Sequence, residues 1–429
     1  MSISADTIFA HSSGRPPAAI AVIRITGPDA HRVAEGLCGS LPVPRQAGLR
    51  TLRSAGGEIL DDALVLRFDG PASVTGEHLV ELHCHGSRAV VAAILRELAT
   101  SPGLREALPG EFTRRSFENG RIDLTQAEGL ADLLEAETEG QRRAALQVTG
   151  GAIRRQVELW RDELLVLSAK AEAAIDYADE EDETQTQAAD LAQAASQLRS
   201  DIASWLARPR AEPLRHGVRV VIAGPPNAGK SSLLNSLVGI DRAIVSQEPG
   251  TTRDVIEVPV SFAGIPFLLI DTAGLRTGGG AIESVGIQRA EQQIAAADVV
   301  LWMGRPEVAP DHPRIIRLHG QVDRLDRHDI PPGSLAVSSI TGAGLESLVE
   351  QLTILGRTLL PEADVVALND RQAKALREVA DAVSSASPKE LELTAEAFRQ
   401  ARSAIDRVTG SAGVEDLLDS LFRRFCLGK

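Results

Sequence analysis

One short segment constrains the fold of this chain more than any other. Gly224-Pro-Pro-Asn-Ala-Gly229-Lys230-Ser231 fits the pattern G-x-x-x-x-G-K-[S/T], and the apolar run His216-Gly-Val-Arg-Val-Val-Ile-Ala223 leads into it. The order predicts a buried strand, a phosphate-wrapping loop and a helix. The glycines let backbone N–H groups approach phosphate oxygens, Lys230 reaches the outer phosphates, and the Ser231 hydroxyl can hold Mg²⁺. Lysine is scarce here: only Lys170, Lys230, Lys374, Lys389 and Lys429 stand among 45 basic residues. Where a compact ammonium is not needed this chain uses arginine, so a lysine at this position is informative.

Two further elements follow in the expected order. Ile265-Pro-Phe-Leu-Leu-Ile270 reads as a second buried strand ending at Asp271-Thr-Ala-Gly274. An aspartate there can reach the Mg²⁺ shell, and the Gly274 N–H can meet a γ-phosphate. Between them lies Gly250-Thr251-Thr252-Arg253-Asp254, a threonine-bearing loop suited to close over the ion. Together these predict a switch GTPase-type domain. Leu275 follows the Asp-Thr-Ala-Gly segment and has no group to orient water, so hydrolysis must use another residue. The base-recognition element is also irregular. Ile315-Ile-Arg-Leu-His319 runs into Gly320-Gln321-Val322-Asp323, where Asn-Lys-x-Asp is usual, and Ser338-Ser-Ile340 replaces Ser-Ala-Lys. Only Asp323 keeps the usual residue of the first motif.

The rest of the chain divides by texture. Residues 1–118 carry β-like runs (Ile20–Ile25, Ala63–Phe68, Leu79–Cys84) with helical stretches between, as in Arg88–Leu98, and read as an α+β domain. Breaker-poor sequence with helical spacing of apolar residues fills 119–214, and Ala-rich helical sequence fills 356–429. The expected architecture is multidomain: an α+β N-terminal domain, a discontinuous all-α domain in those two parts, and an α/β P-loop domain inserted at 215–355. Two separate helical domains would give the same texture.

Composition excludes several classes. At 43% hydrophobic the chain can build cores, and its apolar runs are too short to span a bilayer. Its start lacks the basic-then-apolar order of a secretory signal. Three cysteines, Cys38, Cys84 and Cys426, make no disulfide framework; a reduced, cytoplasmic home is expected. The net charge of −14 excludes nucleic-acid binding by bulk electrostatics. Any RNA contact needs a local patch, for which Arg114-Arg115, Arg142-Arg143, Arg154-Arg155 and Arg423-Arg424 are candidates.

The motifs together resemble the tRNA modification GTPase family MnmE (TrmE). The resemblance rests on Gly224 to Ser232 with Asn227, Gly250-Thr-Thr-Arg-Asp254, and the terminal Cys426-Leu-Gly-Lys429. In the N-terminal half it rests on Asp6-Thr-Ile-Phe-Ala10, Ile23-Arg-Ile-Thr-Gly27, Thr75-Gly-Glu77, Glu81-Leu-His-Cys-His-Gly86, and Pro109-Gly-Glu-Phe-Thr-Arg114 through Asp123-Leu-Thr-Gln-Ala-Glu128.

The resemblance implies a folate-binding N-terminal domain that forms a homodimer, a helical domain and a potassium-stimulated G domain. It also implies a heterotetramer with the flavoprotein MnmG. The product would be an aminomethyl or carboxymethylaminomethyl group on the wobble uridine of tRNA, its carbon drawn from a formyl or methylene tetrahydrofolate. GTP would be held by Gly224, Asn227, Ala228, Gly229, Lys230, Ser231, Ser232, Ser246, Thr251, Thr252, Asp271, Thr272, Ala273, Gly274 and Asp323. Ser231 and Thr252 would hold Mg²⁺; Asn227, Ser246, Glu248 and Thr251 would surround K⁺. Glu283 would orient the attacking water, and Arg24, Glu81, Arg121 and Lys429 would bind folate. Arg121 stands where the family usually has lysine, in line with the arginine bias.

Three readings stay open at this level. Cys426 is either a catalytic thiol or a buried cysteine. Glu81, His83 and His85 share one strand face and could hold a metal, though no fourth ligand is evident nearby. A ribosome-associated regulatory GTPase without modification chemistry is the alternative function, and a scaffold with a decayed G domain is a third.

Overall fold

The computed structural model describes residues 6–176, 181–240, 256–272, 288, 290–327, 329–362, 364–387, 390–411, 415–423, 425 and 428. They form two compact units. One comprises 1–131, 149–161 and 402–429; the other comprises 132–148 and 162–401. The helical sequence is therefore shared between the units.

The first unit is built on a six-stranded sheet in the order β3-β4-β5-β2-β1-β6. Its strands are β1 (Thr7–His11), β2 (Ile20–Thr26), β3 (Gly48–Arg53), β4 (Ile59–Phe68), β5 (Leu79–His85) and β6 (Leu104–Glu106). Neighbours pair antiparallel except β1 with β6. Alternation explains its two faces. In β5, Val80, Leu82 and Cys84 are buried, while Glu81, His83 and His85 stand on the other side. The buried side packs on the helices Ala30–Cys38 and Arg88–Thr100 through Val33, Leu37, Val91, Ile94 and Leu98. The opposite side of β2 and β5 is left for polar groups. A separate cluster, Leu124, Ala127, Leu418, Leu421, Phe422 and Phe425, joins the helices Leu124–Glu135 and Glu415–Phe422.

Gly110 is where backbone geometry binds this unit most tightly. Its φ is +72°, and a Cβ there would lie 2.2 Å from the Phe422 carbonyl oxygen. Gly120 has a similar φ of +66° with open space around it. Gly110→Ala is expected to cost about 2–4 kcal/mol, left-handed strain plus overpacking. Gly120→Ala should cost only the strain, about 1–2 kcal/mol. Thermal unfolding of both variants checks the difference; equal losses would mean the approach of Phe422 is not a fixed contact.

The second unit carries the other six-stranded sheet, ordered β12-β11-β10-β7-β9-β8. The strands are β7 (Val218–Ala223), β8 (Ile256–Phe262), β9 (Ile265–Asp271), β10 (Val299–Trp302), β11 (Ile315–Gly320) and β12 (Leu335–Val337). All neighbours run parallel except β8 against β9. β7 lies between β9 and β10, so both its edges are paired, and Val218, Val220, Val221 and Ile222 have no exposed surface, so both its faces are covered. The helices Lys230–Ile240 and Leu345–Leu359 pack into the same core through Leu233, Leu237, Leu348 and Leu352. Long helices make up the rest of the unit. One of them, Asp370–Ser384, starts at a capping box in which Asn369 and Gln372 exchange side-chain and backbone hydrogen bonds. Among the described residues no helix is long and apolar enough to cross a membrane.

Candidate functional site

The P-loop lies between the end of β7 and the helix that begins at Lys230. The Lys230 side chain is buried and its Nζ donates to the carbonyls of Gly224 (3.1 Å) and Pro225 (2.8 Å). An ammonium curled over its own loop is charged, satisfied and placed beside the cradle of N–H groups. Register then brings in the second element: Ile222 of β7 pairs with Asp271 of β9. From there the Asp271 carboxylate accepts a 2.5 Å hydrogen bond from the Ser231 hydroxyl. A serine oxygen and a fully buried carboxylate in contact at the loop are the hard oxygen donors Mg²⁺ takes, so this pair fits the ion. Thr272 uses its hydroxyl otherwise, donating to the Ile222 carbonyl at 2.9 Å, which ties β9 to β7. Asn227 is exposed in the left-handed region with φ +59°, Ala228 is buried, and Ser232 is exposed on the following helix.

The base-recognition segment approaches the same loop. Gln321, itself left-handed at φ +62°, donates through Nε2 to the Asn227 carbonyl at 3.3 Å. The Asp323 carboxylate accepts from the Ser338 hydroxyl at 2.6 Å, and Ser338 Oγ also accepts the N–H groups of Ile340 and Thr341. One carboxylate oxygen of Asp323 is thereby fixed by Ser338. The structure also gives a reason for Gly320. A Cβ there would lie 2.8 Å from the Met303 methyl and 3.3 Å from the Ala228 carbonyl. Met303 follows β10, hydrogen-bonds through its N–H to Ala223 at 2.8 Å, and is almost fully buried. It fills the space where an asparagine side chain would begin.

The N-terminal candidates come together in part. Arg24 of β2 and Glu81 of β5 are register partners, and Arg24 Nε donates to Glu81 Oε1 at 2.8 Å. His83 Nε2 lies 3.2 Å from the other oxygen, Oε2. A carboxylate flanked by two donors on the free sheet face suits a group offering both donors and acceptors, as a pterin edge does. His85 turns elsewhere: its Nδ1 is 2.7 Å from Asp61 Oδ1, and that hydrogen bond raises its pKa. The three-residue metal reading of this strand therefore loses His85. Arg121 is exposed beside Gly76, whose added Cβ would sit 3.4 Å from Arg121 Cγ. Gly428 packs on the end of β1, where a Cβ would meet Ser12 Oγ at 2.5 Å. Ser246, Glu248, Thr251, Thr252, Ala273, Gly274, Glu283, Cys426 and Lys429 lie outside the described residues.

Residues 7–121 match the family model for the GTP-binding protein TrmE N-terminus, and residues 124–426 match that for the MnmE helical domain. The tRNA modification GTPase MnmE of Erythrobacter litoralis is 52% identical over 426 residues, covering 99% of this chain and 100% of the relative. The chain belongs to the MnmE family. Another member, from Rhizorhabdus wittichii, is 51% identical over 431 residues, covering 99% of this chain and 97% of its own. Among solved structures, the G domain of the T. maritima FeoB iron transporter is 27% identical over 32% of this chain and 98% of that one, with a TM-score of 0.24.

Within this MnmE family member the structure also sorts the paired arginines. Arg115 is buried, with its guanidinium on Asp6, Glu77 and Glu111, so it belongs to the core of the first unit and not to an RNA surface. Arg142 and Arg143 both hold Glu139, pulling its pKa down to about 2. Arg114 meets Glu118 and Asp419. Sequence reasoning missed Met303, because its relation to Gly320 crosses between two strands. The alternation along β5 did put His83 on the same face as Glu81, and the structure joins the two by a hydrogen bond.

Proposed function

We propose that this chain is a potassium-stimulated GTP hydrolase that acts as a homodimer in tRNA wobble-uridine modification. A flavoprotein partner and a tetrahydrofolate one-carbon donor complete the reaction. The observation that carries this reading is the contact of Ser231 with Asp271 beside the buried Lys230. In it, Lys230 leaves its loop carbonyls for the outer phosphates, and backbone N–H groups from Ala228 to Ser232 wrap the rest. Ser231 and Thr252 would hold Mg²⁺, which offsets charge on the phosphates when bound. Glu283 orients the attacking water, the task Leu275 cannot do. Arg24, Glu81, Arg121 and Lys429 hold the folate, whose bound form supplies carbon at the formaldehyde or formate level.

The seat of Gly428 on Ser12 supports a terminal lysine close to the folate face, since β1 pairs with β2 through Ala10 and Arg24. Deleting Gly428-Lys429 should weaken binding of 5-formyltetrahydrofolate by about tenfold or more, the loss of one charge-assisted contact. GTP hydrolysis should be nearly intact. Calorimetric titration and a phosphate-release assay on the full chain and the truncated one check both halves. Unchanged folate affinity would remove the tail from the pocket.

A further inference from the structure

The free face of the first sheet carries a carboxylate held on both of its oxygens. Arg24 Nε donates to Glu81 Oε1 at 2.8 Å, and His83 Nε2 lies 3.2 Å from Oε2. An ionised carboxylate accepts and cannot donate, so the hydrogen of the second contact sits on His83 Nε2. Both partners are withdrawn from solvent: the side chains of Glu81 and His83 are 16% and 29% exposed. His83 is also confined laterally. Its register partners are Val22 of β2 on one side and Leu64 of β4 on the other, and directly opposed side chains on one sheet face stand about 5 Å apart. Glu81 has Arg24 and Leu66 in the same positions. The imidazole thus stands in an apolar row next to the row of the carboxylate, with Nε2 turned along β5 toward Glu81.

A single contact leaves a carboxylate free to turn about its last side-chain bond, because that torsion has a broad profile. A second contact on the other oxygen fixes the plane. Each oxygen has two lone pairs, so Arg24 and His83 leave one acceptor position on each. Two fixed acceptors side by side suit a group with two adjacent N–H donors. The pyrimidinone edge of a reduced pterin presents two, N3–H and the 2-amino group. Holding the acceptors in place beforehand raises affinity, because less side-chain freedom is lost when the ligand arrives. We propose that His83 is the positioning residue of the folate site: its Nε2–H holds Glu81 so that both carboxylate oxygens meet the N–H donors of the pterin edge. The inference rests on the reading of this sheet face as the folate site and adds the residue that aims Glu81.

His83→Gln and His83→Leu separate the hydrogen bond from the bulk of the ring. The glutamine Nε2 can take the place of the histidine Nε2 on Glu81, whereas leucine fills similar space and donates nothing. Calorimetric titration of the full-length protein and both variants would use 5-formyltetrahydrofolate and its 2-desamino analogue, in which hydrogen replaces the amino group. The wild-type protein is expected to favour the amino form by about 10- to 100-fold, as for a hydrogen bond to a charged group. His83→Leu should weaken binding of 5-formyltetrahydrofolate by about 3- to 10-fold and bring that preference down to roughly threefold. His83→Gln should restore most of both. GTP hydrolysis and thermal stability should hold in the two variants. Equal wild-type affinity for the two ligands, or unchanged affinity and preference in His83→Leu, would overturn the inference. Equal losses in His83→Leu and His83→Gln would overturn it too, since the ring would then pack beside the site without aiming Glu81. A wild-type protein that binds neither ligand would overturn the folate reading, and the inference with it.

Discussion

GTP turnover by the full chain is expected to be roughly 10²- to 10³-fold faster in potassium than in sodium at equal ionic strength, the size of one well-placed charge stabiliser. Leu275 has no hydrogen-bonding side chain, and Lys230, now bonded to its own loop carbonyls, would bring one positive charge to several phosphate charges. A second monovalent cation at the loop would offset charge developing between the β- and γ-phosphates, as an arginine finger does elsewhere. Asn227 is exposed at the loop with its carbonyl held by Gln321, which leaves its side chain in reach of such an ion. Potassium is large enough to be held by neutral oxygens, whereas sodium binds its water more tightly. Glu283→Ala should lower the rate by about 10²-fold, as loss of a water-orienting group does, and retain nucleotide binding. Equal rates in the two salts, together with a fully active Glu283→Ala protein, would rule out this mechanism.

Asp323 is expected to carry most of the preference for GTP over ATP. Its carboxylate is anchored on one oxygen by Ser338 at 2.6 Å. The anchored group can accept the N1 and N2 hydrogens of guanine, which adenine does not present. Asp323→Ala should weaken GTP binding by about 1.5–3 kcal/mol, the value of a hydrogen bond to a charged group, and leave ATP binding nearly unchanged. Gly320 and Gln321 are expected to weaken GTP binding further relative to an Asn-Lys pair, by about 1–3 kcal/mol, because the asparagine amide and the lysine stem are absent. Restoring them is not a two-residue change. The Cβ of Gly320→Asn would press on the Met303 methyl at 2.8 Å, at the flexible end of a side chain. Gly320→Asn/Gln321→Lys should therefore recover part of the affinity, and adding Met303→Val should recover more. Competition titrations with GTP and ATP separate these contributions. Equal affinity of the wild-type protein for both nucleotides would mean that this segment does not read the base.

What was legible in the sequence was local chemistry. The strand ahead of Gly224, the helix after Lys230 and the strand ending at Asp271 follow from apolar run length, glycine placement and one scarce lysine. The runs read at Ile20–Ile25, Ala63–Phe68 and Leu79–Cys84 became β2, β4 and β5 with ends shifted by a few residues. Pairings across the fold were not legible. That Arg24 faces Glu81 depends on the register of two strands separated by most of the sheet's sequence. That Gly320 yields space to Met303 depends on packing across β10 and β11. The helical sequence reads as one domain around an insert, and one helical-domain family model spans 124–426; that Leu124–Ala131, residues 149–161 and residues 402–429 lie in the compact unit of the N-terminal sheet is not written in their periodicity. Apolar periodicity marks which helix face is buried and carries no label for the partner that buries it.

If GTP hydrolysis in this chain serves modification of the tRNA wobble uridine, the modified nucleosides in the cell depend on it. Mass-spectrometric analysis of wobble nucleosides in tRNA from a strain lacking this gene, complemented by the wild-type chain or by Lys230→Ala, tests it most directly. Aminomethyl-type substituents on the wobble uridine should disappear in the deletion strain, return with the wild-type chain and not return with Lys230→Ala. A full complement of modified wobble uridine in the deletion strain would contradict it.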